Sequence, residues 1–181
     1  MREGKLKTRR MYNFCPEFYL CIMALSNYSR MLRLIDEVFA TRSDPGQLQV
    51  TQEELKKLAM IHPATLTEKS DANGPLIWVL MIPTTKKIMD DFISGNITET
   101  ELLERTIPGE AYNCIYLCSV TTLPEMRGKG ETKALCVAAL KSIMRDHAIS
   151  TLFVWPFTKE GSSLAKSLAE TCGLELKTVA H

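Results

Sequence analysis

The stretch TLPEMRGKG, residues 122–130, joins two segments of opposite character. An apolar run over residues 112–121 precedes it, and a helix-like run over residues 129–147 follows it. A strand that turns through Arg-Gly-x-Gly into a helix leaves the first N–H groups of that helix unpaired, with the positive end of the helix dipole behind them. Glycines also let a ligand approach the backbone closely. The stretch therefore predicts a strand–loop–helix unit that binds phosphate oxygens.

The chain after this loop alternates between helix and strand patterns. After the helix over 129–147, a strand is predicted over 151–155, a helix over 162–172 and a last strand over 174–179. Strands that alternate with helices indicate parallel pairing in this half of the sheet. The predicted inner face of the first helix is rich in small residues: Leu135, Ala138, Ala139, Ser142 and Ile143.

Two central strands are predicted before the loop. Residues 76–82 are continuously apolar between two prolines, which is typical of a strand buried on both faces. Residues 112–121 form the second strand, which leads into the loop. Two short helical runs, 85–94 and 98–105, lie between these strands. We interpret residues 84–106 as a helical insertion between the central strands.

The N-terminal third is predicted to be largely helical. A helix should run from Pro16 to about Thr41, and Thr51 with Glu54 gives a capping-box pattern for a second one. A short strand is predicted over residues 64–68, before a strong turn signal. The apolar face of the first helix recurs with helical spacing: it comprises Met31, Leu34, Ile35 and Val38.

Length and composition indicate a single globular domain over residues 1–181, with residues 1–14 as a tail. Apolar residues make up 45% of the chain, charged residues 24%, and the net charge of +1 predicts neither nucleic-acid nor membrane binding. The basic N-terminus is expected to be a solvated tail, with a patch that binds nucleic acid or another anion as the alternative. A secretory signal is disfavoured because Pro16 and Glu17 interrupt the apolar segment. The sequence does not determine the oligomeric state.

The cysteines and histidines predict no metal site. Six cysteines form no Cys-x-x-Cys pair, and three separated histidines supply no tetrahedral ligand set. We therefore expect buried thiols, a reducing compartment and a cytoplasmic location. A P-loop is excluded because Lys129 lies between the glycines and no Gly-Lys-Ser/Thr follows.

The loop and its neighbourhood resemble the acyl-CoA-binding motif of the GNAT (Gcn5-related N-acetyltransferase) superfamily, whose signature is Gln/Arg-x-x-Gly-x-Gly/Ala. The resemblance extends over residues 76–179 and is sharpest over 117–140. It implies an α/β fold with a mixed, mostly antiparallel sheet of six or seven strands flanked by helices. It also implies acetyl-CoA as the cosubstrate.

The resemblance assigns cofactor-binding roles along the strand and loop. The strand backbone would hold the pantetheine arm at Ser119, Val120, Thr121, Thr122 and Leu123. The pyrophosphate would lie over Arg127, Gly128, Lys129 and Gly130. The last Gly/Ala of the signature falls on Thr132, a departure in which the N–H or the hydroxyl could still contact phosphate.

A second family element lies near the C-terminus, with the pattern Asn-x-x-Ala-x-x-Leu-Tyr-x-x-x-Gly-Phe. Four positions fit, at Ala165, Leu168, Gly173 and Leu174, and Ser162 takes the Asn position. The Tyr that protonates the leaving thiolate in many members falls on Ala169, which cannot do so. A thiolate with a pKa of about 8–9 can also leave unprotonated.

No catalytic residue is assigned. Glu68 and Glu110 are candidates for the base that deprotonates an amine, although both also fit surface carboxylates. His147 is expected to cap a helix as a cation. Cys118 shares strand parity with Cys114, and both are expected in the core rather than as nucleophiles.

The expected activity is direct transfer of an acyl group, above all acetyl, from CoA to a primary amine of a small molecule or peptide. A non-catalytic CoA-binding or protein-interaction module is the alternative, and a structural domain without CoA binding is a third interpretation. The insertion over 84–106 either shapes the acceptor pocket or covers a sheet edge. Its acidic residues either favour polyamine-like acceptors or form a solvated face: Asp90, Asp91, Glu99, Glu101 and Glu104.

Overall fold

The computed structural model describes residues 26–39, 47–48 and 50–179, which form a sheet flanked by helices. The strands are β1 (Leu66–Asp71), β2 (Gly74–Thr84), β3 (Cys114–Thr122), β4 (Thr151–Val154) and β5 (Glu175–Thr178). The helices are α1 (Asn27–Phe39), α2 (Gln52–Ile61), α3 (Lys86–Ile93), α4 (Glu99–Arg105), α5 (Glu131–Asp146) and α6 (Lys159–Cys172). A short 3-10 turn, Pro124–Met126, lies between β3 and α5.

The sheet has the spatial order β1-β2-β3-β4-β5, so each strand lies beside its neighbour in sequence. The β1–β2 and β2–β3 pairs are antiparallel, and the β3–β4 and β4–β5 pairs are parallel. The β3–β4 and β4–β5 pairs are parallel because α5 and α6 connect them. Each helix carries the chain back to the end of the sheet at which the preceding strand began. The mixed α/β class and the parallel second half are confirmed. The described residues contain five strands rather than six or seven, with equal numbers of antiparallel and parallel pairs.

Each face of the sheet has its own apolar core. Helices α5 and α6 cover one face through buried residues such as Leu140 and Leu168. Helices α3 and α4 cover the other face, where Phe92 and Leu102 pack with Tyr116. Helices α3 and α4 lie between the central strands β2 and β3 in the chain, and they bury a face of the sheet.

Helix ends follow the predicted capping signals. Thr51 and Glu54 form a reciprocal capping box at the start of α2, and Thr98 with Glu101 forms another at α4. Gly173 ends α6 in the left-handed conformation, with a φ of 68°. These signals are reliable because each depends on residues within one helical turn.

The predicted inner face of α5 needs correction. The buried stripe consists of Cys136, Ala139, Leu140 and Ile143, whereas Ala138 is exposed. The buried stripe is displaced by about one residue around the helix from the predicted one. The reason is that contact with the sheet determines which side of α5 is buried.

The first helix is described for residues 27–39. Its Met31 is fully buried, but Val38 at the predicted apolar face is 42% exposed. The remainder of the predicted helix and the predicted tail over residues 1–14 lie outside the described residues. No helix in the described ranges is long and apolar enough to cross a membrane.

Candidate functional site

Strand β3 changes its pairing partners along its length. Residues Cys114–Leu117 pair with β2 on one side and with β4 on the other. Pairing with β4 ends at Leu117 opposite Val154, while pairing with β2 continues to Thr122. We call residues 114–117 the closed half of β3 and residues 118–122 the open half. Within the described chain, no strand pairs with the β4-side edge of the open half.

A β-bulge lies where the two halves of β3 meet. Leu80 is opposite Ser119 and Met81 is opposite Leu117, so Cys118 has no partner in β2. An extra residue shifts the alternation of side chains along the strand. Leu117 and Val120 consequently contact the same core, the one under α5 and α6. The bulge thus redirects the strand at the point where its second partner ends.

The hydrogen-bond pattern shows which backbone groups face the open edge. Leu123 N–H donates to Leu76 C=O over 3.0 Å, so it points toward β2. Backbone direction alternates along a strand, so the Ser119 and Thr121 groups also point toward β2. The N–H and C=O groups of Val120 and Thr122 then point toward the open edge. Two of the five predicted pantetheine-contacting residues therefore present backbone groups there.

The glycine loop continues directly from this open edge. Gly128 and Gly130 have φ values of 73° and 75°, in the left-handed region that disfavours other residues. Gly130 is the N-cap of α5 and supplies no side-chain cap. Among the described residues, no group accepts a hydrogen bond from the N–H of Gly128, Lys129 or Gly130. Apart from its chain neighbours, no described residue has an atom within 4 Å of a Cβ built on either glycine, so that part of the chain leaves the loop open to a ligand.

Two acidic side chains beside the loop are paired with cations from elsewhere in the fold. Arg30 of α1 donates two hydrogen bonds of 2.7 Å to Glu125, which holds the pKa of that carboxyl below its ordinary value. Lys69 of β1 forms an ion pair with Glu131 in the first turn of α5. Both carboxylates are thus compensated, and the charges of the exposed loop cations are left to attract an anion.

Arg127 and Lys129 are those exposed loop cations. Arg127 Nε donates to Thr122 C=O over 3.3 Å, which directs the guanidinium back along the open half of β3. Arginine suits an anion better than lysine, because its planar fork can donate two parallel hydrogen bonds. The predicted anion-binding residues therefore lie together at the end of the open edge.

Thr132, the departure from the family signature, has a structural contact. Its hydroxyl lies 3.0 Å from the hydroxyl of Thr122, so it connects the first turn of α5 to the end of β3. Glycine or alanine could not make this bond. Thr132 thus lies among the predicted site residues and fixes the geometry of the loop.

An open depression lies at the carboxyl end of β4, beside the site where β3 and β4 separate. It has a volume of about 610 Å³. Its walls come from the β4–α6 connection and the first turn of α6: Pro156, Phe157, Thr158, Lys159, Ser162 and Ser163. Sequence reasoning did not identify this depression.

Ala169 lies in the α5–α6 core and is 3% exposed. Its neighbours in the family pattern, Ala165 and Leu168, are fully buried beside it. A tyrosine at this position would overfill the core, which commonly costs about 1–3 kcal/mol. The core around position 169 is therefore packed for an alanine side chain and not for a tyrosine.

The two carboxylates considered as bases, Glu68 and Glu110, are both exposed. Glu68 accepts a 2.8 Å hydrogen bond from Trp78 Nε1, and Trp78 is opposite Thr121 in the sheet. Glu68, Trp78 and Thr121 therefore lie opposite one another on β1, β2 and β3, and this row of residues ends in the open half of β3. Neither carboxylate lies at the bulge.

The cysteines of β3 agree with the predicted core role. Cys114 is buried and Cys118 is half-buried. Burial, with a smaller contribution from the charge of Glu99, raises the pKa of the Cys118 thiol well above its usual value. The thiolate that a nucleophilic role needs is thereby disfavoured.

His147 ends α5, but its predicted role as a cation needs correction. It caps the helix through its backbone N–H, which donates to Ile143 C=O over 3.0 Å. Burial, together with the neighbouring His62, lowers the pKa of its imidazole. His62 is itself buried and lies 2.9 Å from Asp146, a partnership that sequence spacing did not reveal.

The acidic residues of the insertion divide between surface and core. Asp90 pairs with Lys86 over 2.6 Å at the surface, as a solvated face would predict. Glu99 is instead 6% exposed, and its carboxylate accepts hydrogen bonds from Tyr116 OH and Leu48 N–H. The expectation of a solvated face is therefore wrong for Glu99. Sequence reasoning missed it because helical periodicity in a seven-residue helix is too short to define a face.

The described residues contain no group of three or more His, Cys, Asp or Glu side chains that could bind a metal ion. Comparisons of the chain with protein-family models, with curated proteins and with solved structures find no match.

Proposed function

We propose that the protein is an acyl-CoA-dependent N-acyltransferase that transfers an acyl group, above all acetyl, to a primary amine. One observation carries the proposal: the open half of β3 leads directly into the glycine loop and the uncapped start of α5. A free strand edge and a cluster of free N–H groups lie in series along one path. That series matches a ligand with an amide-bearing arm attached to a pyrophosphate, which is the chemistry of CoA.

The pantetheine arm would bind as an added strand. Its two amides can pair with the outward N–H and C=O groups of Val120 and Thr122, in the manner of an extended peptide added to a sheet edge. Main-chain hydrogen bonds would supply the affinity, and the alternation of the strand would set the register. The arm then ends near the bulge at Cys118.

The pyrophosphate would bind at the loop. N–H groups of residues 128–130 and the positive end of the α5 dipole favour phosphate oxygens, and Arg127 and Lys129 add positive charge. Each exposed ionic contact is worth about 0.5–1 kcal/mol. The backbone donors are fixed in place by the fold and therefore bind without further ordering.

The thioester would lie beside the bulge. A backbone N–H group near the bulge that the pantetheine arm leaves unpaired can polarise the thioester carbonyl as the amine attacks. The amine forms the new C–N bond, the C–S bond breaks, and CoA leaves as a thiolate. Since Ala169 supplies no proton, the thiolate would take one from the attacking nitrogen or from water.

Calorimetric titration with acetyl-CoA tests the binding part of this proposal. We expect one-to-one binding with a Kd on the order of micromolar. The variant Arg127→Ala/Lys129→Ala should weaken binding by about tenfold, because two exposed contacts sum to roughly 1–2 kcal/mol. The matched control, Lys141→Ala/Lys166→Ala, removes two exposed lysines from the C-terminal half of α5 and from α6. Equal affinity in all three proteins would refute the assigned site.

Release of free thiol tests the transfer part. Wild-type protein with acetyl-CoA should release CoA thiol in the presence of at least one amine from a panel of hexylamine, 2-phenylethylamine, spermidine and a short peptide. The buried Ala169 favours a second function, a CoA-binding module without turnover. Tight acetyl-CoA binding without thiol release for any amine would support that second function.

A further inference from the structure

The open depression at the carboxyl end of β4 has no role so far in the proposed acyl transfer. Its volume of about 610 Å³ lies within the range of small-molecule sites, roughly 300–1,000 Å³. Ligands of open α/β sheets bind in crevices outside the carboxyl ends of the strands. The parallel strands β3 and β4 part at this end of the sheet. The depression therefore lies where the fold favours a small ligand.

The strand register places the depression opposite the open half of β3. Leu117 and Val154 are the last residues that pair between β3 and β4. Two residues further along the chain lie Ser119 on β3 and, beyond β4, Pro156, which lines the depression. The proposed thioester, beside the bulge at Cys118, would lie across the gap from this wall. An acceptor held in the depression would thus be next to the acyl group.

One wall of the depression is apolar and fixed by ring contacts. The Phe157 ring lies 4.9 Å from the Trp155 ring, measured between centroids. Trp155 in turn contacts Phe92 of the core, with centroids 6.2 Å apart. Pro156 adds further apolar surface. This wall suits an apolar group of the acceptor.

The other wall supplies cationic and hydroxyl donors. Lys159, Ser162 and Ser163 line the depression with exposed side chains, and their spacing places them on one face of α6. Within the described part of the chain, these three side chains form no hydrogen bond or ion pair. The lining residues include no carboxylate. The wall therefore favours an anionic group of the acceptor and disfavours a second cationic one.

We propose that the depression binds the acceptor and that this acceptor is an α-amino acid. The inference rests on the proposed acyl transfer and names its substrate class. The carboxylate of the amino acid accepts hydrogen bonds from the Lys159 ammonium and from the hydroxyls of Ser162 and Ser163. Its side chain packs on the Phe157 ring, and its amino group lies toward the gap between β3 and β4.

The transfer then yields an N-acyl amino acid. The ammonium group of the amino acid first loses one proton to water. The neutral nitrogen forms the new C–N bond to the acyl carbon, the C–S bond breaks, and the second proton of the nitrogen passes to the departing thiolate. The net products are the amide, CoA thiol and one proton in solution.

Thiol release with acetyl-CoA tests the inference through two acceptors that differ in one group. L-Phenylalanine carries a carboxylate that 2-phenylethylamine lacks. We express kcat/KM per free amine, because a carboxylate also changes the pKa of a neighbouring amine. Wild-type protein should prefer phenylalanine by about tenfold or more, since a hydrogen bond between charged groups is gained.

Variants of Lys159 assign this preference to the depression. Lys159→Ala should lower the ratio of the two kcat/KM values by about tenfold. Lys159→Glu should lower the ratio further, because like charges repel. Lys166→Ala is the matched control, since Lys166 is an exposed lysine of the same helix outside the depression. It should keep the wild-type ratio.

The outcomes separate the inference from the function on which it rests. A wild-type ratio near one, or a ratio that Lys159→Ala leaves unchanged, overturns the acceptor assignment and leaves the proposed transfer intact. Weaker acetyl-CoA binding by Lys159→Ala in calorimetry also overturns the assignment, because the depression would then belong to the cofactor. A wild-type protein that binds acetyl-CoA but releases thiol with no amine, phenylalanine included, overturns the transfer proposal and the assignment together.

Discussion

The two halves of β3 share one strand but have opposite surroundings. The closed half, residues 114–117, has a strand on each side and side chains that are buried on both faces. The open half, residues 118–122, has a strand on one side, and most of its residues are half-buried. The difference shows that one strand passes from two-sided to one-sided pairing at the point where one of its partners ends. The side of β3 that pairs with β4 in the closed half has no strand partner in the open half among the described residues.

The largest expected effect is the loss of packing against the closed half. Phe153 is fully buried and stacks on Tyr116 with ring centroids 5.0 Å apart. Phe153→Ala should lower the free energy of unfolding by about 3–5 kcal/mol, because a large cavity forms in a two-sided core. Val120→Ala in the open half should cost about 1 kcal/mol, since that side chain is half-buried. Urea unfolding of the two variants measures both values. Equal losses of unfolding free energy would contradict the difference in packing between the closed half and the open half.

Glycine substitutions separate ligand binding from stability. Gly128→Ala places a Cβ at a φ of 73° and should destabilise the fold by about 1–2 kcal/mol. Gly95→Ala is its matched control, because Gly95 has a φ of 72° and equally open surroundings. Both variants should lose similar unfolding free energy, whereas Gly128→Ala alone should weaken acetyl-CoA binding. Calorimetry on the two proteins checks this, and equal loss of affinity would argue against the loop as the binding site.

The smallest expected effect concerns pH at the closed end of the sheet. His147 contacts Tyr112 with ring centroids 4.6 Å apart, just before the start of β3. Burial and His62 lower the pKa of His147 from its ordinary value of 6.5, so the folded chain binds this proton less tightly than the unfolded chain. The resulting stabilisation is present above about pH 6.5 and is lost as pH falls through the lowered pKa. The free energy of unfolding should therefore decrease on acidification below pH 6.5.

The variant His147→Asn isolates this contribution. Its unfolding free energy should vary less with pH than that of wild type between pH 6.5 and 5, as measured by urea unfolding at each pH. Acetyl-CoA affinity should be the same in both proteins at pH 7, because the imidazole lies at the end of the sheet opposite the loop. If the unfolding free energies of the two proteins change equally with pH between 6.5 and 5, groups other than His147 cause the change.

The order of helices and strands over the described residues could be predicted because each element has a local signal. The capping boxes at Thr51 and Thr98 and the left-handed Gly173 depend on residues within one turn. The grouping of Arg127 with Gly128 and Gly130 on one loop follows directly from their adjacency in sequence. Local hydrogen bonds and backbone conformations thus carry their information in short stretches of sequence.

The number of strands and the rotation of α5 could not be predicted in the same way. The stripe that α5 buries was misjudged by about one residue, because the exposed Ala138 and the buried Ala139 have equal apolar character. The contact surface that distinguishes them is supplied by strands far away in sequence. Periodicity identifies an amphipathic helix more reliably than it identifies the exact face.

By itself, the sequence determined an α/β chain with a glycine loop between a strand and a helix, together with the capping of its helices. Only the tertiary structure decided that β3 parts from β4 after Leu117, that Cys118 forms a bulge and that Glu99 is buried beside them. The physical reason is the range of the interactions. Caps and turns are fixed by neighbouring residues, whereas the parting of two strands and the burial of a carboxylate depend on segments that meet only in the folded chain.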